Sequence, residues 1–133
     1  MKIKVGIKEL CATAEEQIET ITVHDALKLQ QAEDVVIVDI RDIRELYRDG
    51  KIPGAYHAPR GMLEFWVDPE SPYHKPIFVS GKRLVFYCGG GMRSALASQT
   101  LQQMGLDNIC HIEGGFAAWR KANYSIEVVE NKG

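Results

Sequence analysis

The sequence has no apolar run approaching the roughly 18–20 residues that a membrane-spanning helix requires. It has no surplus of either charge: 16 lysines and arginines against 18 aspartates and glutamates give a formal net charge of −2. That balance offers nothing to a polyanion, so neither nucleic acid nor a membrane is expected as a partner. Cysteine is sparse too. Cys11, Cys88 and Cys110 form an odd, widely spaced set, without a Cys-x-x-Cys pair or a cysteine–histidine spacing for zinc. Disulfide scaffolding and a structural metal are excluded, and free thiols in a reducing compartment are expected. The opening residues MKIKVGIKELCATAEEQIE lack the continuous apolar core of a signal peptide. Their Glu9, Glu15, Glu16 and Glu19 are foreign to a mitochondrial transit segment. A cytoplasmic, soluble protein is the expectation.

What is present is enough for one domain with its own core: 133 residues, 45% apolar and 26% charged. The runs VVIVDI (35–40), RLVFY (83–87) and NICHI (108–112) are short and apolar on both faces, as buried parallel strands are. Ile21-Thr22 and residues 55–57 are candidates for two further short strands. Thr22 with Asp25, and Asp42 with Glu45, resemble capping boxes that open helices ending near Leu29 and at Gly50. Ala97, Leu101 and Met104 mark the buried stripe of a third helix stopped by Gly105, and a fourth covers Phe116 to Lys121. Strands alternating with helices at this spacing predict an α/β fold with a mainly parallel sheet. Residues 1–19 form an N-terminal extension with helical character, and 20–133 a single domain. The stretch VDPESPYHKPIF (67–78) holds Pro69, Pro72 and Pro76 and is expected to be an ordered loop, pinned to the core by Trp66, Tyr73, His74 and Phe78.

The segment LVFYCGGGMRSALA places Cys88 where a strand gives way to a helix and follows it with three glycines. Ligands of open parallel sheets bind beyond the carboxyl ends of the strands, where the strand order switches. Curled into a cup, residues 88 to 93 would turn their N–H groups toward the sulfur, and the next helix would add its positive end. Larger side chains than glycine would crowd such a cup. A nearby guanidinium favours the thiolate further. The glycines fit neither GxxxxGK[ST] nor GxGxxG with its distant acidic residue, so a nucleotide site is not expected.

Four stretches resemble the rhodanese-like sulfurtransferases, over roughly residues 20 to 127. VVIVDIRD is similar to the family's second strand and Asp-x-Arg signature, and KIPGAYHAP to its His-Ile-Pro-Gly-Ala element, with Lys51 in place of the histidine. YCGGGMRSALA resembles the active-site loop with its helix, and HIEGGFAAW the closing Gly-Gly-x-x-x-Trp element. The resemblance implies a three-layer α/β/α fold around a five-stranded, mainly parallel sheet. It also implies an activity: Cys88 accepts a sulfane sulfur from thiosulfate or a persulfide, carries it as a persulfide, and gives it to a thiol or cyanide. Gly89, Gly90, Gly91, Met92, Arg93 and Ser94 would form the loop that holds it. This chemistry needs neither a metal nor an organic cofactor. Its partners would be a small sulfur donor and a thiol acceptor, with a protein as a further candidate acceptor.

Cys88 and Arg93 are spaced Cys-x4-Arg, which the resemblance associates with sulfur; related phosphatases carry Cys-x5-Arg and a wider cup. Arg93 is expected to clamp an anionic group of the donor or to bind the loop's carbonyls. Asp39 is expected to brace the loop and neighbouring arginines, and Arg41 and Arg60 to face the rim. Many thiosulfate-using relatives carry a basic residue directly after the cysteine, where this chain has Gly89; an uncharged persulfide donor therefore stays open. Cys110 and the isolated His24, His57 and His111 are read as structural. Two alternatives remain: a persulfide carrier or regulatory binding module with little turnover, and a small cysteine-dependent phosphatase or arsenate reductase.

Overall fold

A computed structural model describes all residues, 1–133. Five parallel strands form one sheet: β1 (Thr20–Ile21), β2 (Val35–Asp39), β3 (Tyr56–His57), β4 (Arg83–Tyr87) and β5 (Ile109–Ile112), in the order β1-β5-β4-β2-β3. Six α-helices surround it: α1 (Ile7–Gln17), α2 (Val23–Leu29), α3 (Ile43–Asp49), α4 (Leu63–Val67), α5 (Met92–Gln103) and α6 (Gly115–Lys121). No helix is long and apolar enough to cross a membrane.

Alternation along the strands sorts the core into two layers. Leu84, Phe86 and Cys88 pack with Leu63, Ala97 and Leu101 on the face covered by α4 and α5. Val85 and Tyr87 pack with Ala26, Phe116 and Trp119 on the face covered by α2 and α6. Both faces are apolar, which is why the strands read as continuous hydrophobic runs. The chain leaves β4 through α5 toward β5 but leaves β2 through α3 toward β3. The connections diverge between β2 and β4, so the crevice of the fold opens where Cys88 emerges.

Local chemistry sets the helix ends that border this crevice. Thr22 Oγ1 accepts the Asp25 N–H at 3.1 Å to start α2. Asp42 accepts from the Arg44 N–H at 2.9 Å while its own N–H reaches Glu45 Oε1 at 3.3 Å, a closed cap for α3. Gly50 ends α3 at φ +81°, a conformation open to glycine.

Some expectations shift. The first strand is Thr20–Ile21, because Thr22 is used as the cap. Met104 is exposed and lies outside the buried stripe of α5, which runs through Ala97 and Leu101. Helix α4 lies before the proline-rich loop, and Pro76 opens a 3-10 turn to Val79. Phe78 and Trp66 pin the loop by edge-on contacts to Tyr56, at ring separations of 6.0 and 6.5 Å. Tyr73 packs only on Phe65, and both are exposed.

Candidate active site

Cys88 follows β4 directly and is buried, its sulfur at the floor of a loop that runs into α5. The N–H groups of Gly91 and Ser94 donate to Sγ at 3.1 and 3.3 Å. They are two of the six expected; those of Gly89, Gly90, Met92 and Arg93 make no hydrogen bond to Sγ itself. Cys88 Sγ in turn lies 3.5 Å from Ser94 Oγ.

The three glycines answer to different constraints. Gly91 sits at φ +105° as the residue before α5, and a Cβ there would press on the Gly114 N at 3.4 Å. Gly89 has an ordinary backbone, but a Cβ would meet the Arg93 guanidinium at 3.0 Å. Around Gly90 the space is open.

The loop's carbonyls are taken by protein groups. Cys88 O and Gly89 O accept from the Phe116 and Ala117 N–H groups at 2.8 and 3.0 Å, so the free N–H groups at the start of α6 hold the loop from below. This close approach requires Gly115, since a Cβ there would collide with the Cys88 carbonyl.

Arg93 therefore does not bind loop carbonyls. Its guanidinium forms a two-pronged ion pair with Glu45, Nη1–Oε1 at 2.7 Å and Nη2–Oε2 at 3.1 Å, bridging the first turns of α5 and α3 across the crevice. Arg93 holds the Glu45 carboxyl below its usual range, and Glu45 raises Arg93 in return. The pair rests against Gly89, where a side chain would oblige the Arg93 guanidinium to shift.

The other expected rim residues are placed differently. Arg41 is buried, not on the rim: its Nη2 binds Asp39 Oδ2 at 2.7 Å and Gly50 O at 2.7 Å, and its guanidinium lies 4.2 Å from the Phe116 ring centroid. Asp39 braces Arg41 and not the loop. Burial, the largest influence, lowers the Arg41 pKa, but the hydrogen bonds and charge of Asp39 together with the charges of Tyr87 and Glu45 leave it raised. Arg60 is half-buried beyond the end of β3, donates its backbone N–H to Ile40 O just after β2, and pairs with Glu64 at 2.7 Å. Cys110 is buried in the opposite layer, and burial pushes its thiol up to about 11.

His111 is buried and hydrogen-bonded at both ring nitrogens. Its Nδ1 lies 2.8 Å from Ser94 Oγ, one hydroxyl away from the sulfur. Strand parity could have pointed to it: Phe86 pairs with His111 across β4 and β5, and Cys88 lies two residues beyond Phe86 on the same face. Glu45 was legible only as a cap. No three His, Cys, Asp or Glu side chains gather as metal ligands would. A cleft of about 460 Å³ lined by Asp42, Arg44, Glu45 and Arg48 adjoins the Arg93–Glu45 pair, and another of about 360 Å³ sits at the opposite ends of the strands, beside Leu84 and Ile109.

The chain is similar to known proteins in sequence and fold. The rhodanese-like domain model matches residues 22–122. The thiosulfate sulfurtransferase GlpE of Glaesserella parasuis is 31% identical over 114 residues, spanning 86% of this chain and 97% of GlpE. The polysulfide-sulfur transferase homodimer of Wolinella succinogenes superimposes with a TM-score of 0.67 at 27% identity, over 94% of this chain and 88% of that one. A Rhodopseudomonas palustris protein of unknown function, described as a possible tyrosine phosphatase, is 59% identical with a TM-score of 0.92, over 96% of this chain and 98% of that one. With the family model spanning most of the sequence, GlpE matched along nearly its whole length, and a five-stranded parallel sheet carrying the cysteine loop at its switch point, the chain belongs to the rhodanese-like domain family.

Proposed function

We propose that the protein is a sulfurtransferase that moves a sulfane sulfur through a Cys88 persulfide, with persulfides preferred to thiosulfate as donors. The observation that carries this reading is the convergence of the Gly91 and Ser94 N–H groups on Cys88 Sγ at the floor of a six-residue cup. Thiolate attacks the outer sulfur of R–S–SH; the donor's S–S bond breaks, its electron pair leaves with RS⁻, and the enzyme becomes Cys88–S–SH. An acceptor thiolate then attacks that outer sulfur, and Cys88 departs as thiolate with the bonding pair. In this reading the remaining loop N–H groups, of Gly89, Gly90, Met92 and Arg93, stabilise the outer sulfur as an oxyanion hole does an oxygen.

The donor preference follows from charge. Thiosulfate is a dianion, and the cationic group beside the loop is already neutralised by Glu45. Gly89 adds no second cation. A cysteine or glutathione persulfide brings its reacting sulfur without a sulfonate and needs no such clamp.

The R. palustris relative's description raises phosphoryl transfer as a second reading. Against it stand the four residues between Cys88 and Arg93, one fewer than in the related phosphatases, and the engagement of the Arg93 guanidinium by Glu45. Incubation with glutathione persulfide should add one sulfur to the protein mass, and Cys88→Ser should abolish the gain. An adduct that persists in Cys88→Ser, or hydrolysis of an aryl phosphate by the wild type, would overturn the assignment.

A further inference from the structure

The sulfur of Cys88 begins a chain of polar side chains that leaves the cup on its closed side. Sγ lies 3.5 Å from Ser94 Oγ, Ser94 Oγ lies 2.8 Å from His111 Nδ1, and His111 Nε2 lies 3.2 Å from Thr20 Oγ1. Cys88, Ser94 and His111 are at most 1% exposed, whereas Thr20 is exposed on the edge strand β1. Both ring nitrogens of a buried histidine are thus occupied by hydroxyls. A hydroxyl donates and accepts through one atom, so it can pass a proton as well as hold one. His57 differs: its Nε2 faces a backbone carbonyl, Arg41 O at 2.7 Å, which accepts a hydrogen bond but cannot pass a proton on. Ser94 also has a resting acceptor, Gly91 O at 3.3 Å, for its own proton when His111 does not take it.

We propose that Ser94 and His111 form a proton relay for Cys88, connecting the buried sulfur with the surface at Thr20 by a path separate from the mouth through which sulfur enters. The S–H bond of Cys88 breaks and its electron pair stays on sulfur. The thiol proton passes to Ser94 Oγ as the hydroxyl proton of Ser94 passes to His111 Nδ1. The products are a thiolate and an imidazolium whose Nε2–H is held by Thr20; nothing is oxidised or reduced. Ser94 then donates to the thiolate, beside the N–H groups of Gly91 and Ser94. In the second half-reaction the same hydroxyl meets Cys88 as it departs from its outer sulfur. His111 acts through Ser94 and is a positioning residue for the proton.

The charged and titratable groups around the ring decide whether it can accept. Burial disfavours the imidazolium and holds the His111 pKa below its ordinary value, while Glu113, in the turn just after β5, favours it. Glu19, just before β1, is committed to Arg83 of β4, and Arg93 of α5 is committed to Glu45. Tyr87 and Cys110 face the opposite layer, and the buried Cys11 of α1 is held as the neutral thiol by burial and by Glu15. In the relay thiolate and imidazolium form together, so the two charges compensate each other.

The relay rests on Cys88 as the reacting sulfur, and its test does not use sulfur transfer. The rate of Cys88 alkylation by iodoacetamide, read from the mass of the Cys88 peptide, is followed from pH 5 to 9 in the full chain. The wild type should keep a reactive limb below pH 7. In His111→Asn the rate at pH 6 should fall about tenfold, while at pH 9, where hydroxide removes the proton, it should lie within about twofold of wild type. Thr20→Val, at the exposed end, should lose about two- to threefold at pH 6 only, since a charged hydrogen bond is removed. Ser94→Ala, which keeps the backbone donor, should repeat the His111→Asn profile and serves if that variant does not fold. Superimposable profiles, or the same loss at every pH, would overturn the relay. A wild-type acidic limb without persulfide formation would instead discard the sulfurtransferase reading and leave the relay standing.

Discussion

Replacing Glu45 with glutamine is the most direct probe of donor choice. Glutamine keeps the shape and an oxygen to accept the Asp42 N–H, so α3 remains capped, but it removes the charge that occupies Arg93. Arg93 and Glu45 are 43% and 22% exposed at their side chains, so water screens the pair and it stabilises the fold by no more than about 1 kcal/mol. The melting temperature of Glu45→Gln should stay within about 5 °C of wild type. The effect on a dianionic donor is larger. One carboxylate roughly 7 Å from each thiosulfate charge, at an effective dielectric constant of about 40–80, repels it by about 0.6–1.2 kcal/mol per charge. Lifting that repulsion should lower the barrier for thiosulfate by about 1–2 kcal/mol, or about 5- to 30-fold in kcat/KM, with less than about twofold change for cysteine persulfide. The assay is cyanide-dependent turnover with each donor in parallel. Because Arg93 depresses the Glu45 pKa, the ion pair is fully formed above the ordinary carboxyl value of 4.5 and breaks as pH falls through the lower folded value. The contrast between wild type and variant should therefore be constant from pH 8 to about 5 and close only in acid. An equal change for both donors, or a fall with thiosulfate, would refute the charge argument.

Two further outcomes follow from other parts of the site. Gly91→Ala forces an alanine to φ +105° and should cost about 1–2 kcal/mol of stability together with most of the persulfide formed per minute, whereas Gly90→Ala, with open space around it, should change stability by less than about 0.5 kcal/mol; denaturant unfolding and the mass-shift assay read both. Arg41→Met leaves Asp39 buried without its partner and should destabilise the protein by about 3–5 kcal/mol in denaturant melts, with the double variant Arg41→Met/Asp39→Asn recovering part of that loss.

The elements of the fold were legible because their signals are local. The apolar runs at 35–40 and 83–87, the caps at Thr22 and Asp42, and the stop at Gly50 each depend on a few neighbouring residues. The position of Cys88 at a strand end and its loop were legible for the same reason. What escaped depends on how strands and helices face one another. Arg41 follows a strand, as rim residues do, but an acid two positions earlier and the Gly50 carbonyl draw it inward. Arg93 has a partner 48 residues away, visible only once α3 and α5 flank the same crevice. His111 required the register of β5 against β4, which no short window of sequence contains. Met104 failed for a simpler reason: it is the capping residue just past α5, and its side chain is exposed.

The grip of α6 on the cysteine loop ties the cup to a distant part of the chain. Trp119 of α6 donates to Ser125 O at 2.8 Å and packs on Tyr124, and Glu127 returns to pair with the backbone of Lys51. The helix that holds the loop's carbonyls is thus itself anchored by residues that make no hydrogen bond to the sulfur. A substitution at Ser125 or Tyr124 is expected to reach the cup only through α6, as a looser hold on the Cys88 and Gly89 carbonyls.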